Sequence, residues 1–177
     1  MLDINLIREN PEKKILVFVR TKIRAERVFK ALERIKINSQ TIHSDKAQKE
    51  RSAIMGRFKS GENTVLIATD VSARGIDIPN VEIVVNYDLP EIPENYVHRV
   101  GRTGRGSQKG LAISFCSPQE EDTLKTIESF LKKSVKVIDI DIQDYKDTID
   151  LSKSTAPDWQ TLIDEAESYN DKKRKKR

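Results

Sequence analysis

Short apolar runs alternate with longer polar segments along most of this chain. Six runs rich in β-branched residues predict strands, and they cover 15–19, 40–43, 65–69, 83–87, 112–116 and 135–140. Runs such as ILVFV at 15–19 are apolar at every position, which is expected where helices cover both faces of a parallel sheet. The pattern therefore predicts an α/β fold with an open, mainly parallel β-sheet and helices on both faces.

The polar segments after the first two runs have apolar residues at helical spacing. In the first helix Thr21 is the expected N-cap, and the apolar stripe comprises Ala25, Val28, Phe29, Leu32 and Ile35. In the second helix Asp45 is the expected cap, and Gly61 lies where the helix is expected to end. Its expected inward residues are Ala47, Ile54, Met55 and Phe58.

A third helix is predicted after the fifth run. Ser117, Pro118 and Glu120 have the spacing of an N-cap, N1 and N3 set. The expected inward residues are Leu124, Ile127 and Leu131.

The pattern changes near the C-terminus. From about residue 143 the chain is polar and acidic, and four apolar residues at helical spacing then follow, namely Trp159, Leu162, Ile163 and Ala166. We expect a main domain at 1–141 and a short C-terminal extension at 142–177, made of a linker, a short helix and a basic tail.

Composition limits the candidate functions. The chain has 177 residues, enough for one well-filled domain with a modest extension, and its formal net charge is +4. The last six residues carry +6, so residues 1–171 have a net charge of −2 (+4 minus +6). Contact with nucleic acid must therefore come from local basic clusters, to which the tail adds salt-sensitive attraction.

The single cysteine, Cys116, lies in an apolar run and excludes an internal disulfide. It fits a reducing compartment and is expected to be a small core residue. No apolar run approaches membrane-spanning length, and the N-terminus lacks a signal-peptide pattern. We therefore expect a cytoplasmic protein with no membrane partner.

The segment HRVGRTGR at 98–105 has the composition of a phosphate site. Its three arginines offer planar donor groups that bind phosphate bidentately, and its glycines let backbone N–H groups approach an anion. In an open parallel sheet, ligands collect beyond the C-terminal ends of the strands, where the segment TDVSARGID at 69–77 is also expected. Two such loops on one sheet edge predict a shared phosphate-facing surface.

Five segments in this order resemble the motifs of the C-terminal half, the second RecA-like domain, of DEAD-box ATP-dependent RNA helicases. They are LVFVRTK (16–22), QKER (48–51), ATDVSARGIDIP (68–79), VVNYDLP (84–90) and HRVGRTGR (98–105). The resemblance covers roughly residues 12–132. Ser44 departs from it, because glycine is expected there in many relatives.

The resemblance implies roles for individual residues. Arg102 and Arg105 would act as arginine fingers on the γ-phosphate of ATP bound to a neighbouring domain. Asp77 would hold the ribose hydroxyls, and His98 would couple the nucleotide to domain closure. The residues implied to contact the RNA sugar-phosphate backbone are Thr21, Gln48, Arg51, Thr69 and Gly75. Such contacts carry little sequence information.

The residues by themselves leave other roles open. Gln48 lies three positions after Asp45 and has the spacing of a capping box. The alternative role of His98 is that of a structural histidine, and the alternative role of Asp77 is to cap a turn. Arg102 and Arg105 lie among glycines, and neither a hydrophobic core nor a helix cap requires two arginines there.

Several parts of an ATPase are absent from the sequence. It has no G-x-x-x-x-G-K-[ST] loop and no Asp-Glu-Ala-Asp segment, and His43, His98 and Cys116 suggest no metal site. The expected function is the second motor domain of an ATP-dependent RNA helicase, which is inactive alone. ATP with Mg²⁺ would be held mainly by an N-terminal RecA-like motor domain of the same protein. A non-enzymatic RNA-binding or scaffold module and the equivalent domain of a DNA helicase are the alternatives.

Overall fold

The computed structural model describes residues 4–73, 78, 81–104 and 110–138. The chain divides into two units, residues 1–135 and 136–177. The elements of the first unit are α1 (Ile4–Arg8), β1 (Ile15–Val19), α2 (Lys22–Arg34), β2 (Ser39–Ile42), α3 (Gln48–Ser60), β3 (Val65–Thr69), α4 (Asp70–Ala73), β4 (Ile83–Asn86), α5 (Pro93–Val100), β5 (Leu111–Ser114) and α6 (Glu121–Leu131). A 3₁₀ turn, Pro118–Glu120, precedes α6.

The described strands form one sheet in the order β2-β3-β1-β4-β5, and every neighbouring pair is parallel. This confirms the predicted open parallel sheet. Since β1 and β3 are central and covered on both faces, all ten of their residues are buried. Their complete apolar runs explain why the sequence places both strands without error.

Helices cover both faces of the sheet, as predicted. Val17 of β1 packs in one core cluster with the α2 residues Ala25 and Leu32. Leu16 and Phe18 point to the other face, where they pack with Phe58 of α3.

Two predicted helix signals are confirmed. The Thr21 hydroxyl accepts a hydrogen bond from the Arg24 N–H at 3.2 Å and caps α2. Gly61 ends α3 in the left-handed region at φ 82°, where glycine avoids the steric cost of a side chain. Both signals are local, so they depend on nothing elsewhere in the chain.

The predicted cap of α3 is wrong. The helix begins later, at Gln48, and its N-cap is the exposed Ala47, which was expected in the core. Residues 43–46 form a turn in which the Lys46 N–H donates to the His43 carbonyl. Asp45 lies in this turn and pairs with Lys22 instead of capping the helix.

The third helix has the predicted start. Glu120 accepts hydrogen bonds from both the N–H and the hydroxyl of Ser117, and Ile127 of α6 is fully buried. Leu124 and Leu131 pack against the same cluster, which also contains Leu89 and Tyr96. The inward face was therefore correctly predicted.

Two other predictions are wrong. Residues 135–138 form no strand, because the Val135 N–H is held by Glu128 of α6 at 2.8 Å and Val137 and Ile138 are exposed. Cys116 is also exposed, since β5 ends at Ser114 and leaves the cysteine in the following loop. Partial burial, with Glu120 and Glu121 nearby, raises the pKa of the Cys116 thiol.

None of the helices in the described part of the chain has the length and apolar character needed to span a membrane.

Candidate phosphate and nucleic-acid interface

The C-terminal ends of the parallel strands lie along one edge of the sheet, which we call the carboxyl edge. The segments that leave β1, β2, β3 and β4 there begin at Arg20, His43, Asp70 and Tyr87. Most of the described site residues lie in these segments and on the first turn of α3. Strand order therefore brings together motifs that are far apart in the sequence. Arg102 instead lies in the turn after α5, which contacts Val81 just before β4, at the opposite end of the sheet. The prediction that the two loops share one edge is therefore wrong for Arg102.

Gln48 and Arg51 lie on the first turn of α3. Arg51 Nη1 donates to Gln48 Oε1 at 3.4 Å, so the amide oxygen is directed to the arginine. The capping box with Asp45 is absent. Gln48 is exposed and Arg51 is half-buried, which leaves the amide accessible to a ligand.

The two threonines differ in accessibility. Thr21 is exposed, and its hydroxyl oxygen accepts the capping bond from Arg24 while the hydroxyl still carries a donor hydrogen. Capping and RNA contact are therefore compatible at this residue. Thr69 is only 7% exposed at the end of β3, so little of its surface is available to a ligand.

An ion pair not foreseen from the sequence joins the first residue of α2 to the turn after β2 at this edge. Lys22 Nζ donates to Asp45 Oδ2 at 2.8 Å and to Oδ1 at 3.1 Å. The hydrogen bond from Lys22 lowers the pKa of Asp45. Ser44, where glycine was expected, is exposed next to this pair. We call Thr21, Lys22, Asp45, Gln48 and Arg51 the open half of the carboxyl edge.

The most buried functional candidate is a residue that the sequence analysis did not single out. Arg99 of α5 is 1% exposed, and its guanidinium makes two 2.7 Å bonds to the carboxylate of Asp70. Its Nη1 also donates to the Asp88 carbonyl at 2.7 Å and to Asn86 Oδ1 at 3.2 Å. The guanidinium lies 5.1 Å from the centre of the Phe18 ring.

Helical spacing offered a signal for this arrangement. Asn95, Tyr96 and Arg99 are the buried residues of α5, and they lie at i, i+1 and i+4. The three arginines of HRVGRTGR are therefore not equivalent, because the first is an internal anchor.

Asp88 joins the loop after β4 to the loop after β1. Its buried carboxylate accepts from the Arg20 N–H at 2.8 Å and also pairs with the guanidinium of Arg24. Arg20 reaches Glu120 with its side chain at 2.7 Å, and Glu120 also accepts from the Leu89 N–H. These bonds fix the strand-end loops relative to each other. We call Asp70, Asn86, Asp88 and Arg99 the anchored half of the edge.

Arg102 lies in the turn that follows α5. Its N–H donates to the Arg99 carbonyl at 3.1 Å, and its carbonyl accepts from the Val81 N–H at 3.2 Å. The side chain is half-buried and makes no hydrogen bond or ion pair with another described residue. Its backbone is thus fixed while its guanidinium stays available for an anion.

The base of this turn is closely packed. The Thr103 hydroxyl donates to the Val81 carbonyl at 2.6 Å and to the Glu82 carbonyl at 3.0 Å. Gly104 has φ 69°, and a Cβ at Gly110 would collide with Thr103 Oγ1 and Gly104 N. Glycine is therefore required where the two ends of the loop meet.

His98 is exposed on α5, one residue before the Arg99 anchor. This exposure gives no support to the structural histidine that was its alternative role. The remaining site predictions, Gly75, Asp77 and Arg105, lie outside the described residues.

Comparison with known proteins agrees with these features. The family model described as the helicase conserved C-terminal domain matches residues 2–107. An ATP-dependent RNA helicase, CshA, of Listeria monocytogenes is 45% identical over 121 residues, which are 68% of this chain and 23% of that protein. The chain thus matches about a quarter of that relative's length.

Two solved structures have the same parallel-sheet fold. The Escherichia coli DEAD-box protein SrmB, bound to regulator of ribonuclease activity A, has a TM-score of 0.72 and 34% identity over 77% of this chain and 80% of that one. Dbp5 of Saccharomyces cerevisiae, bound to RNA and ADP BeF3, has a TM-score of 0.70 and 33% identity over 85% of this chain and 40% of that one. The RecA-like fold and the resemblance to DEAD-box proteins are both confirmed.

Proposed function

The chain belongs to the helicase conserved C-terminal domain family, and we propose that it is the second RecA-like motor domain of an ATP-dependent RNA helicase. One observation carries the proposal. The carboxyl edge carries the exposed Thr21 and Gln48, and the turn after α5, fixed by its bonds to Arg99 and Val81, presents an available arginine, Arg102. A phosphate-binding group and a backbone-binding surface would thus belong to one domain.

Asp77, α5 and the turn after α5 would serve the nucleotide. Arg102, together with Arg105, would neutralise charge that develops on the γ-phosphate of ATP held by an N-terminal motor domain. Asp77 would bind the ribose hydroxyls. Exposed His98 would contact the other domain when the two domains close. ATP and Mg²⁺ would be held mainly by that other domain, because this chain has no G-x-x-x-x-G-K-[ST] loop.

The open half would serve the RNA. The contacting residues would be Thr21, Gln48, Arg51, Thr69 and Gly75. Donors of this kind bind sugar and phosphate rather than base edges, so binding would be independent of sequence. The likeness to Dbp5, which was solved with RNA and ADP BeF3, supports this assignment.

We also propose a cytoplasmic location, which microscopy of the tagged protein tests.

RNA-stimulated ATP hydrolysis tests the proposal. We expect no hydrolysis by this chain alone and RNA-stimulated hydrolysis once an N-terminal RecA-like motor domain is joined to it. Arg102→Ala in the joined protein should lower kcat about a thousandfold, the lower end of the range for an arginine finger. Lys133→Ala is the control, because this exposed lysine lies at the end of α6.

Four outcomes would contradict parts of the proposal. Hydrolysis by this chain alone would contradict the divided site, and an unchanged kcat in Arg102→Ala would exclude the finger. RNA binding with no hydrolysis in either form would favour a non-enzymatic RNA-binding module. Tighter binding of single-stranded DNA than of its RNA analogue would favour a DNA helicase.

A further inference from the structure

The solvent-facing side of α2 forms a narrow row of exposed residues opposite the side that packs on the sheet. At 3.6 residues per turn these residues fall within an arc of about 60°. They are Ile23, Arg27, Lys30 and Arg34, and we call them the α2 ridge. The ridge therefore presents three positive charges in one direction.

Nothing described on the protein neutralises these charges. On α6, by contrast, the exposed Lys125 pairs with Asp122 at 3.1 Å. Glu26 of α2 instead accepts from Thr41 at 2.7 Å and contacts His43 at 2.9 Å, on β2 and just after it. Among the residues that the structure describes, the three basic residues of the ridge make no ion pair.

The charge is also concentrated locally. Residues 22–36 contain six basic and two acidic residues, a net charge of +4, whereas the whole of residues 1–135 has a net charge of +5. The rest of that unit therefore has a net charge of only +1. A basic helix on a nearly neutral unit is a directional attraction for a polyanion.

The ridge begins at the carboxyl edge. Thr21 caps α2, and Ile23, which is 62% exposed, is the first ridge residue after it. From Ile23 to Arg34 the ridge runs about 16 Å along the helix axis. A polymer that lies on the open half of the edge can therefore continue along α2.

We propose that the α2 ridge binds the sugar-phosphate backbone of RNA that extends beyond the segment held at the carboxyl edge. This inference rests on the proposed function, because the edge must first bind RNA. An acidic protein fits less well, since Ile23 is the only apolar residue of the ridge and protein interfaces usually have an apolar centre. Arginine and lysine without base-reading partners would add affinity that is independent of sequence.

Equilibrium binding of labelled oligouridylates by this chain tests the inference. One RNA has about six nucleotides, enough for the edge, and the other has about twenty. The test variant is Arg27→Gln/Lys30→Gln/Arg34→Gln. The matched control is Lys125→Gln/Lys132→Gln/Lys133→Gln, which removes three exposed charges at and near the end of α6.

For the long RNA we expect the ridge variant to reduce the slope of log affinity against log salt by about two, since each phosphate contact on a single strand contributes about 0.7. The short RNA should bind as it does to the unchanged chain. The control should alter neither RNA. An unchanged slope for the long RNA, or an equal change in the control, would overturn the inference.

Two further measurements distinguish failure of the ridge site from failure of the proposed function, and RNA from an acidic protein as the ligand. Arg51→Gln should weaken both RNAs, so a chain that responds to Arg51→Gln but not to the ridge variant retains the proposed function and lacks the ridge site. Failure of this chain to bind either RNA at low salt would contradict both the proposed function and the ridge site. If polyglutamate of equal charge displaces the long RNA as well as unlabelled RNA does, the ridge is a site for an acidic protein.

Discussion

The anchored half of the carboxyl edge is held by buried bonds between residues distant in sequence, whereas the open half is held mainly by exposed bonds. Arg99 reaches Asp70 across 29 positions and is 1% exposed. In the open half, Arg51 bonds to Gln48 three positions away, and Lys22 and Asp45 both keep about half of their side-chain surface in water. Only the anchored half is a rigid part of the core.

The difference follows from what each half has to do. A group that stabilises transition-state charge must be held in place before the reaction, because reorganisation during the reaction costs energy. Contacts to a polymer backbone tolerate adjustment, since successive phosphates are equivalent. Arg99 is buried and its carbonyl holds the backbone of Arg102, as expected for a group that must be in place before the reaction. The Lys22–Asp45 pair is exposed, as expected for contacts to a polymer backbone.

Removing the anchor should have the largest effect. Arg99→Ala leaves Asp70 without its bidentate partner in a largely buried position, and we expect the free energy of unfolding to fall by about 3–5 kcal/mol. Urea denaturation followed by circular dichroism measures it. Arg51→Ala is the matched control from the open half. A loss below about 1 kcal/mol for Arg99→Ala would remove the distinction between the halves.

Asp88→Asn should have the next largest effect. The substitution keeps the shape of a buried side chain but removes the charge that faces Arg24, so we expect a loss of about 1–3 kcal/mol in the same measurement. Arg24→Gln should cost less, because that side chain is half exposed. If Asp88→Asn is as stable as the unchanged chain, the hydrogen bond from the Arg20 N–H is enough to hold this residue, and the charge of Asp88 adds no stability.

A smaller effect should depend on pH. Burial opposes ionisation of Glu26, but hydrogen bonds from Thr41 and His43 and the charge of Lys46 lower its pKa below the ordinary value of 4.5. Its stabilisation is therefore present above pH 4.5 and is lost as the pH falls through the lowered pKa. We expect Glu26→Gln to be less stable than the unchanged chain at pH 7, with the difference shrinking at acid pH. A difference that is the same at both pH values would contradict this linkage.

The smallest effect on stability is expected from the open half. Asp45→Asn should leave the urea midpoint unchanged, since the Lys22 pair is exposed. It should raise RNA affinity modestly, because a carboxylate leaves the phosphate path and Lys22 is released. Glu50→Gln, which breaks the pair between Glu50 of α3 and Lys46 of the preceding turn, is the matched control. Weaker RNA binding by Asp45→Asn would mean that the pair positions the turn after β2.

The sequence predicts best those features that depend on neighbouring residues. The apolar runs place β1 and β3 correctly, and the capping signals at Thr21 and Ser117 are confirmed. The carboxyl edge was also predictable, because parallel strands align their C-terminal ends.

Features that depend on distant partners were missed. Asp70, Asn86 and Asp88 determine that Arg99 turns inward, and no local signal states which arginine they bind. Asp45 was misassigned for the same reason, because Lys22, the first residue of α2, binds its carboxylate. The strand predicted at 135–140 failed over 135–138, where the consecutive apolar residues Val137 and Ile138 are both exposed.

The closed base of the turn after α5 has a consequence for loop length. Thr103 and Gly110 are in contact, so the residues between them leave and return to nearly the same point of the sheet. Doubling the length of such a loop costs only about 0.6 kcal/mol of closure entropy. Arg102 lies before this contact and is held by its own backbone bonds. Insertions beyond Gly104 can therefore accumulate while the position of Arg102 is preserved.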